Sequence, residues 1–268
     1  METGKEKSVC YPDGDLSEWT DDDIVSKNEN TTISAKTDER YLYLMIQKED
    51  FVFGENVLYI PIDTTQKSGS NYCENYDVKF DRAADFLVVI DGKENSRIVV
   101  QERYELLRAE DSQTAYGFDT YAVKNIPAKD SPVFKEINVL LQKWNGDVKE
   151  YYFFETGKLV YGNTNPESLD YHSYADFCCT DGVIELRLPW GLLNFYDPSL
   201  MMIHNDYYEI YDVDELSLSR IYLGAGLDDD HSRIDLSPFR PKTWTDHVTY
   251  HERLKDSYDI LKKAWSER

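Results

Sequence analysis

The chain has 268 residues, enough to bury a sizeable core in one large β-domain or two small ones. Its 51 acidic and 29 basic residues leave a net charge of -22, which argues against nucleic acid and anionic membranes, because phosphate binding needs clustered Lys and Arg, but permits divalent cations, neutral glycans and basic partners. Aromatic residues make up 14% of the chain and mean hydropathy is -0.60, while no run approaches the ~18 apolar residues of a membrane-inserted helix.

Met1 to Lys7 is charged and has no apolar segment, so it does not read as a signal peptide. The first strand signal follows closely, which suggests either a cytoplasmic protein or a module cut from a longer chain; we read it as the module, part of an extracellular or cell-surface protein. The run Tyr11-Pro12-Asp13-Gly14-Asp15-Leu16-Ser17-Glu18-Trp19 is an acidic turn closed by one large aromatic. Thr32 to Ala35 and Tyr41 to Gln47 read as strands around a Thr37-Asp38-Glu39-Arg40 turn. In the second, Leu42, Leu44 and Ile46 share one face, and Tyr41, Tyr43 and Met45 share the other. Both faces are apolar or aromatic, which predicts an inner strand of a sandwich. Val57 to Ile62 is the next strand, with Pro61 marking an edge or a bulge.

Tyr76 to Phe80 and Phe86 to Ile90 follow, and Asp91-Gly92 turns the chain toward a strand over Arg97 to Tyr104. Ile137 to Leu141, Tyr151 to Phe154 and Leu159 to Tyr161 continue the β pattern, with Thr156-Gly157-Lys158 as a turn. Gly162 to Cys179 is a polar, Tyr-rich loop. Val183 to Leu188 is a strand leading into a short helical turn at Pro189 to Leu193. Leu218 to Leu223 reads as the last strand, ended by Gly224 and Gly226. Tyr250, Leu254, Tyr258, Leu261 and Trp265 then fall on the stripe of an amphipathic helix. The expected organisation is an all-β domain over residues 1–245, with a helix over 246–268 packed on it.

In this order, four segments resemble the family 9 carbohydrate-binding modules, which are jelly-roll-like β-sandwiches of two antiparallel sheets related to the DOMON superfamily. They are the Asp13-Gly14 to Trp19 turn, Ala35 to Leu44 around Asp38-Glu39-Arg40-Tyr41-Leu42-Tyr43, Ile60 to Asp63 followed by Ser68-Gly69, and Glu185 to Trp190. The middle of the chain, 93–181, has no counterpart in that pattern. Such modules hold the terminal sugar of a glycan between two aromatic side chains, whose flat faces suit the C–H face of a sugar ring. The resemblance places the first aromatic on Phe53 and the second on Trp244, with Tyr72 nearby. The family's acidic sugar partners fall on Asn56 and Tyr59.

Relatives of that family also carry structural calcium, which takes 6–8 oxygens from turn carboxylates and carbonyls. Asp13, Asp15, Asp228 and Asp230 are the candidate ligands, in acidic turns without the spacing of an EF-hand. Cys10, Cys73, Cys178 and Cys179 lack zinc spacing and are too few for a disulfide scaffold, so free thiols are expected. His247 and His251 stand four apart, but no metalloprotease motif joins them, and there is no phosphate loop or Gly-x-Ser-x-Gly elbow. The expected function is a noncatalytic carbohydrate-binding module that holds a glycan or oligosaccharide end for attached catalytic or cell-surface domains. A structural or protein-interaction sandwich with a decayed sugar site, and a glycan-active hydrolase, are the alternatives.

Overall fold

The computed structural model describes residues 10–106, 126–212, 214–228, 233–242 and 256–266. Two antiparallel sheets form a β-sandwich. The first runs in the order β1 (Ile24–Lys27), β2 (Thr31–Thr37), β3 (Tyr41–Lys48), β13 (Val183–Pro189), β12 (Phe177–Thr180). The second runs from β19 (Ser237–Phe239) through β17 (Ile221–Leu223), β4 (Leu58–Asp63), β7 (Phe86–Ile90) and β8 (Arg97–Gln101) to β9 (Phe134–Glu136). β18 (Gly226–Leu227) also pairs with β4. Two hairpins, β5 (Ser70–Cys73) with β6 (Val78–Ala84) and β10 (Asn138–Asn145) with β11 (Val148–Glu155), stand beside them. A small sheet of β14 (Phe195–Asp197), β15 (Met202–His204) and β16 (Glu215–Ser217) completes the set.

Cross-strand register builds the core. Leu42, Leu44 and Ile46 of β3 lie opposite Leu188, Leu186 and Ile184 of β13, and all six are buried. In the other sheet Leu58, Ile60 and Ile62 of β4 lie opposite Ile90, Val88 and Phe86 of β7. The two sets meet in one apolar cluster between the sheets. Each such side chain contributes about 1.5–3 kcal/mol through burial. As the two apolar faces of Tyr41 to Gln47 predict, β3 is an inner strand, flanked by β2 and β13.

The second sheet is buried on both faces. Tyr59, Leu87, Val89 and Val99 point away from the sandwich interior and pack under Cys73, Val78, Phe80 and Ala84 of the β5–β6 hairpin. This second layer is why Phe86-Leu87-Val88-Val89-Ile90 is apolar throughout rather than alternating.

Several expectations are corrected. Pro61 is neither at an edge nor in a bulge of its own strand: β4 has β7 on one side and β17 and β18 on the other. The missing N–H is accommodated by a break in the partner, since β17 and β18 are separated at Gly224 and Ala225, and Pro61 offers only its carbonyl, to Gly224 N at 3.1 Å. The strand from Arg97 stops at Gln101, whose side chain accepts from Arg103 N at 2.9 Å and starts a 3-10 turn over Glu102–Tyr104. Lys158 and Tyr161 form only isolated bridges, to Arg97 of one sheet and Phe177 of the other, because this segment crosses between sheets rather than joining either. Leu218 to Leu223 is not the final strand, as β18 and β19 follow β17.

The β10–β11 hairpin belongs to neither main sheet and exposes Trp144, Val148, Tyr152 and Phe154. The C-terminal helix spans Asp256–Ser266 among the described residues, and Tyr258, Leu261 and Trp265 are all exposed, Trp265 at 72%. Tyr250 and Leu254 of the same stripe lie outside the described residues.

Candidate functional site

β4 ends on Asp63, on the face away from the sandwich interior. Register sets Tyr222 of β17 directly opposite it. β6 crosses above and delivers Arg82, whose Nε donates to Asp63 Oδ2 at 2.8 Å. The guanidinium carbon lies 3.6 Å from the centre of the Tyr222 ring, a cation–π stack. Three strands distant in sequence thus fix one carboxylate, one guanidinium and one aromatic ring as a unit.

The loop after β4 is held from below by Asp85, which is fully buried. Thr64 N and Thr65 N each donate to Asp85 Oδ2 at 2.8 Å, Thr64 Oγ1 donates to it at 3.0 Å, and Ser68 Oγ donates to Oδ1 at 3.0 Å. Gly69 closes the loop at φ +104, and a Cβ there would meet the Ala83 carbonyl oxygen at 2.8 Å, so only glycine fits. The result is a polar cleft of about 550 Å³. Asp63, Lys67, Arg82, Ser219, Arg220 and Tyr222 are among its lining residues.

Burial pushes the Asp63 carboxyl up to about 6, against the opposing pull of the Arg82 hydrogen bond and charge. Burial, reinforced by the nearby Asp63 charge, pushes Asp85 up to about 8, against the donors from Thr64 and Thr65. Asp85 has its acceptor capacity engaged by the loop and acts as a pin. Asp63 keeps access to the cleft and is the group able to accept from ligand hydroxyls.

The residues predicted from sequence are scattered over the molecule. Phe53 is half-buried, stacked on Tyr161 at 5.5 Å between ring centres and packed edge-on against Phe51 and Phe177. Asn56 closes its own loop: Oδ1 accepts from Val52 N at 2.9 Å and Nδ2 donates to the Asp50 carbonyl at 3.0 Å. Tyr59 is buried under the β5–β6 hairpin against Tyr76, and burial pushes its hydroxyl up to about 12. Tyr72 is half-buried and donates to Asp77 Oδ1 at 2.9 Å. Phe53 and Tyr59 belong to clusters on opposite faces of the second sheet and do not share a surface. Trp244, Asp230, His247 and His251 lie outside the described residues.

The acidic turns are likewise engaged in local structure. Asp13 accepts from Asp15 N and from Asn165 Nδ2, each at 2.8 Å, and Asp15 caps a 3-10 turn by accepting from Ser17 N at 3.0 Å. Asp228 accepts from Val57 N at 3.2 Å, in a different loop. Among the described residues no three His, Cys, Asp or Glu side chains are grouped to hold a metal. All four cysteines are free thiols, and burial pushes that of Cys73 up to about 12, leaving it unreactive.

The motif residues that do converge surround Glu185. Its Oε1 accepts from Trp19 Nε1 at 2.7 Å and its Oε2 from Gly14 N at 2.8 Å, tying the entry turn to β13. Trp190 is buried and donates from Nε1 to the Asp38 carbonyl at 2.9 Å. These contacts hold the fold and do not form a cleft. Arg82 and Tyr222, which do, were missed by sequence reasoning. The available signals were the Ile-Asp ending of β4 and an arginine breaking the apolar alternation of β6; Tyr222 carried no local signal, because its role comes from register. No protein-family model, curated protein or solved structure matches this chain.

Proposed function

We propose that this chain is a noncatalytic carbohydrate-binding module whose sugar-facing surface is the cleft of Asp63, Arg82 and Tyr222. The observation that carries the reading is the joining of a carboxylate acceptor, planar guanidinium donors and an aromatic ring in one polar concavity. Sugars are recognised by that combination: paired hydroxyls bridge charged planar groups, and the C–H face of the ring lies against an aromatic face. Asp63, paired with Arg82, lines the cleft while Asp85 is engaged by the loop beneath it, so the cleft offers one carboxylate rather than the flanking pair of a glycosidase. In a longer extracellular or cell-surface protein, such a module raises the local concentration of glycan for an attached catalytic domain. The resemblance of the four sequence segments to family 9 modules supports the same reading, although Phe53, Asn56 and Tyr59 are engaged internally.

A glycan-array screen with and without calcium, on the wild type and on Tyr222→Ala and Trp244→Ala, tests the proposal. Binding lost in Tyr222→Ala places the site in the cleft. Binding lost only in Trp244→Ala moves it to the position implied by the family resemblance. The absence of any binding favours the second reading, a protein-interaction sandwich, whose supporting observation is the exposed aromatic hairpin bearing Trp144, Tyr152 and Phe154.

A further inference from the structure

The cleft differs in charge from the molecule around it. The chain carries a net charge of -22. The charged residues lining the cleft are nevertheless Lys67, Arg82 and Arg220, against the single carboxylate of Asp63. Asp63 engages Arg82 through Nε alone. Among the described residues no acceptor meets Nη1 or Nη2 of Arg82, and none meets the Arg220 guanidinium. Lys67 lies 3.6 Å from Glu209 with both side chains well exposed, an arrangement that a ligand can displace at little cost.

Arg82 is also held in place before any ligand arrives. Asp63 fixes one edge of the guanidinium and the Tyr222 ring supports its face. A planar guanidinium so oriented presents paired N–H donors that match the two oxygens of a carboxylate, sulfate or phosphate. Its ordering entropy is already lost, so that match is converted into affinity more fully than on a mobile surface arginine. A neutral sugar offers these donors only hydroxyl acceptors, roughly half as strong.

We infer that the cleft takes an acidic glycan, an oxyanionic sugar whose charged group lies against Arg82 and Arg220 while its hydroxyls meet Asp63 and the serines of 217–219. This inference rests on the glycan reading given above. It adds to that reading the chemical class of the sugar and the residue that selects it.

The test uses matched pairs of oligosaccharides on the full chain, measured by titration calorimetry. One pair is an oligouronide and its methyl ester, the second a sulfated oligosaccharide and its desulfated form, and the third a sugar phosphate and the free sugar. The acidic member of at least one pair is expected to bind at least about tenfold tighter, with the preference shrinking at about 0.5 M salt through screening. Which pair shows it identifies the anion. Arg220→Gln, at a half-buried side chain with no described partner, is expected to reduce the preference with melting temperature unchanged. Arg82→Lys is expected to reduce it by losing the forked geometry. Equal binding of acidic and neutral members, or a preference left undiminished by both Arg82→Lys and Arg220→Gln, overturns the acidic-glycan inference and leaves the module reading standing. Binding by neither member of any pair overturns both.

Discussion

Glu185 is 1% exposed and holds the entry turn to the first sheet, so its replacement measures how much the N-terminal segment depends on one carboxylate. Two N–H donors end on it, Trp19 Nε1 at 2.7 Å and Gly14 N at 2.8 Å, beside the weaker Cys178 thiol donor at 3.7 Å. Hydrogen bonds to a charged group contribute about 1.5–3 kcal/mol each, which sets a gross loss of about 3–6 kcal/mol for Glu185→Ala. Two effects reduce it. Trp19 and Gly14 are half-buried, so water can reach the freed donors. Burial also raises the Glu185 carboxyl above its ordinary range, so the native state already bears a desolvation cost that the mutation removes. The expected net loss is therefore about 2–4 kcal/mol. Glu185→Gln is the sharper variant, because its amide oxygen keeps one donor while its NH2 faces the other. It is expected to cost about 2 kcal/mol with core volume conserved. Urea unfolding followed by tryptophan fluorescence reads the change as a lower midpoint at constant slope. A Glu185→Gln midpoint equal to wild type would refute the reasoning, since it would mean that the two hydrogen bonds add nothing beyond hydration.

Arg103 meets Asp206 through Nε at 3.0 Å and Nη2 at 2.7 Å, with Asp206 fully buried; Arg103→Ala is expected to cost about 3 kcal/mol in urea unfolding by leaving that carboxylate, among the described residues, only the Tyr208 N–H and the exposed Lys129 at 3.7 Å, and Arg103→Lys to recover little of it. Asp63 titrates at about 6 when folded instead of its ordinary 3.8, so the unfolded chain releases the proton first; the stabilisation is fully present below about 3.8 and is lost as pH rises through about 6. The melting temperature of wild type minus that of Asp63→Asn is therefore expected to fall between pH 4 and 7, and a rise over that window would contradict the assignment. Phe53→Ala is expected to lower stability by about 2 kcal/mol, from the loss of a half-buried aromatic stacked on Tyr161, while leaving cleft binding intact; sugar affinity lost without loss of stability would restore Phe53 as a sugar platform.

What could be read along the chain was local. The alternation of Leu42, Leu44 and Ile46 marks β3, the Val183 to Leu188 segment marks β13, and the apolar run Phe86 to Ile90 marks β7, because strand periodicity and burial are recorded in neighbouring residues. The all-β class, the inner position of β3 and the free thiols followed from these patterns and from composition. Partner choice was not recorded there. Only the tertiary structure decided that β5 and β6 cover the second sheet, that the β10–β11 hairpin stands outside the sandwich, and that the strand facing Pro61 is interrupted. The cleft depends most on that information: Asp63, Arg82 and Tyr222 come from three strands whose pairing no local window contains, and a one-residue slip of any of them would turn its side chain to the other face.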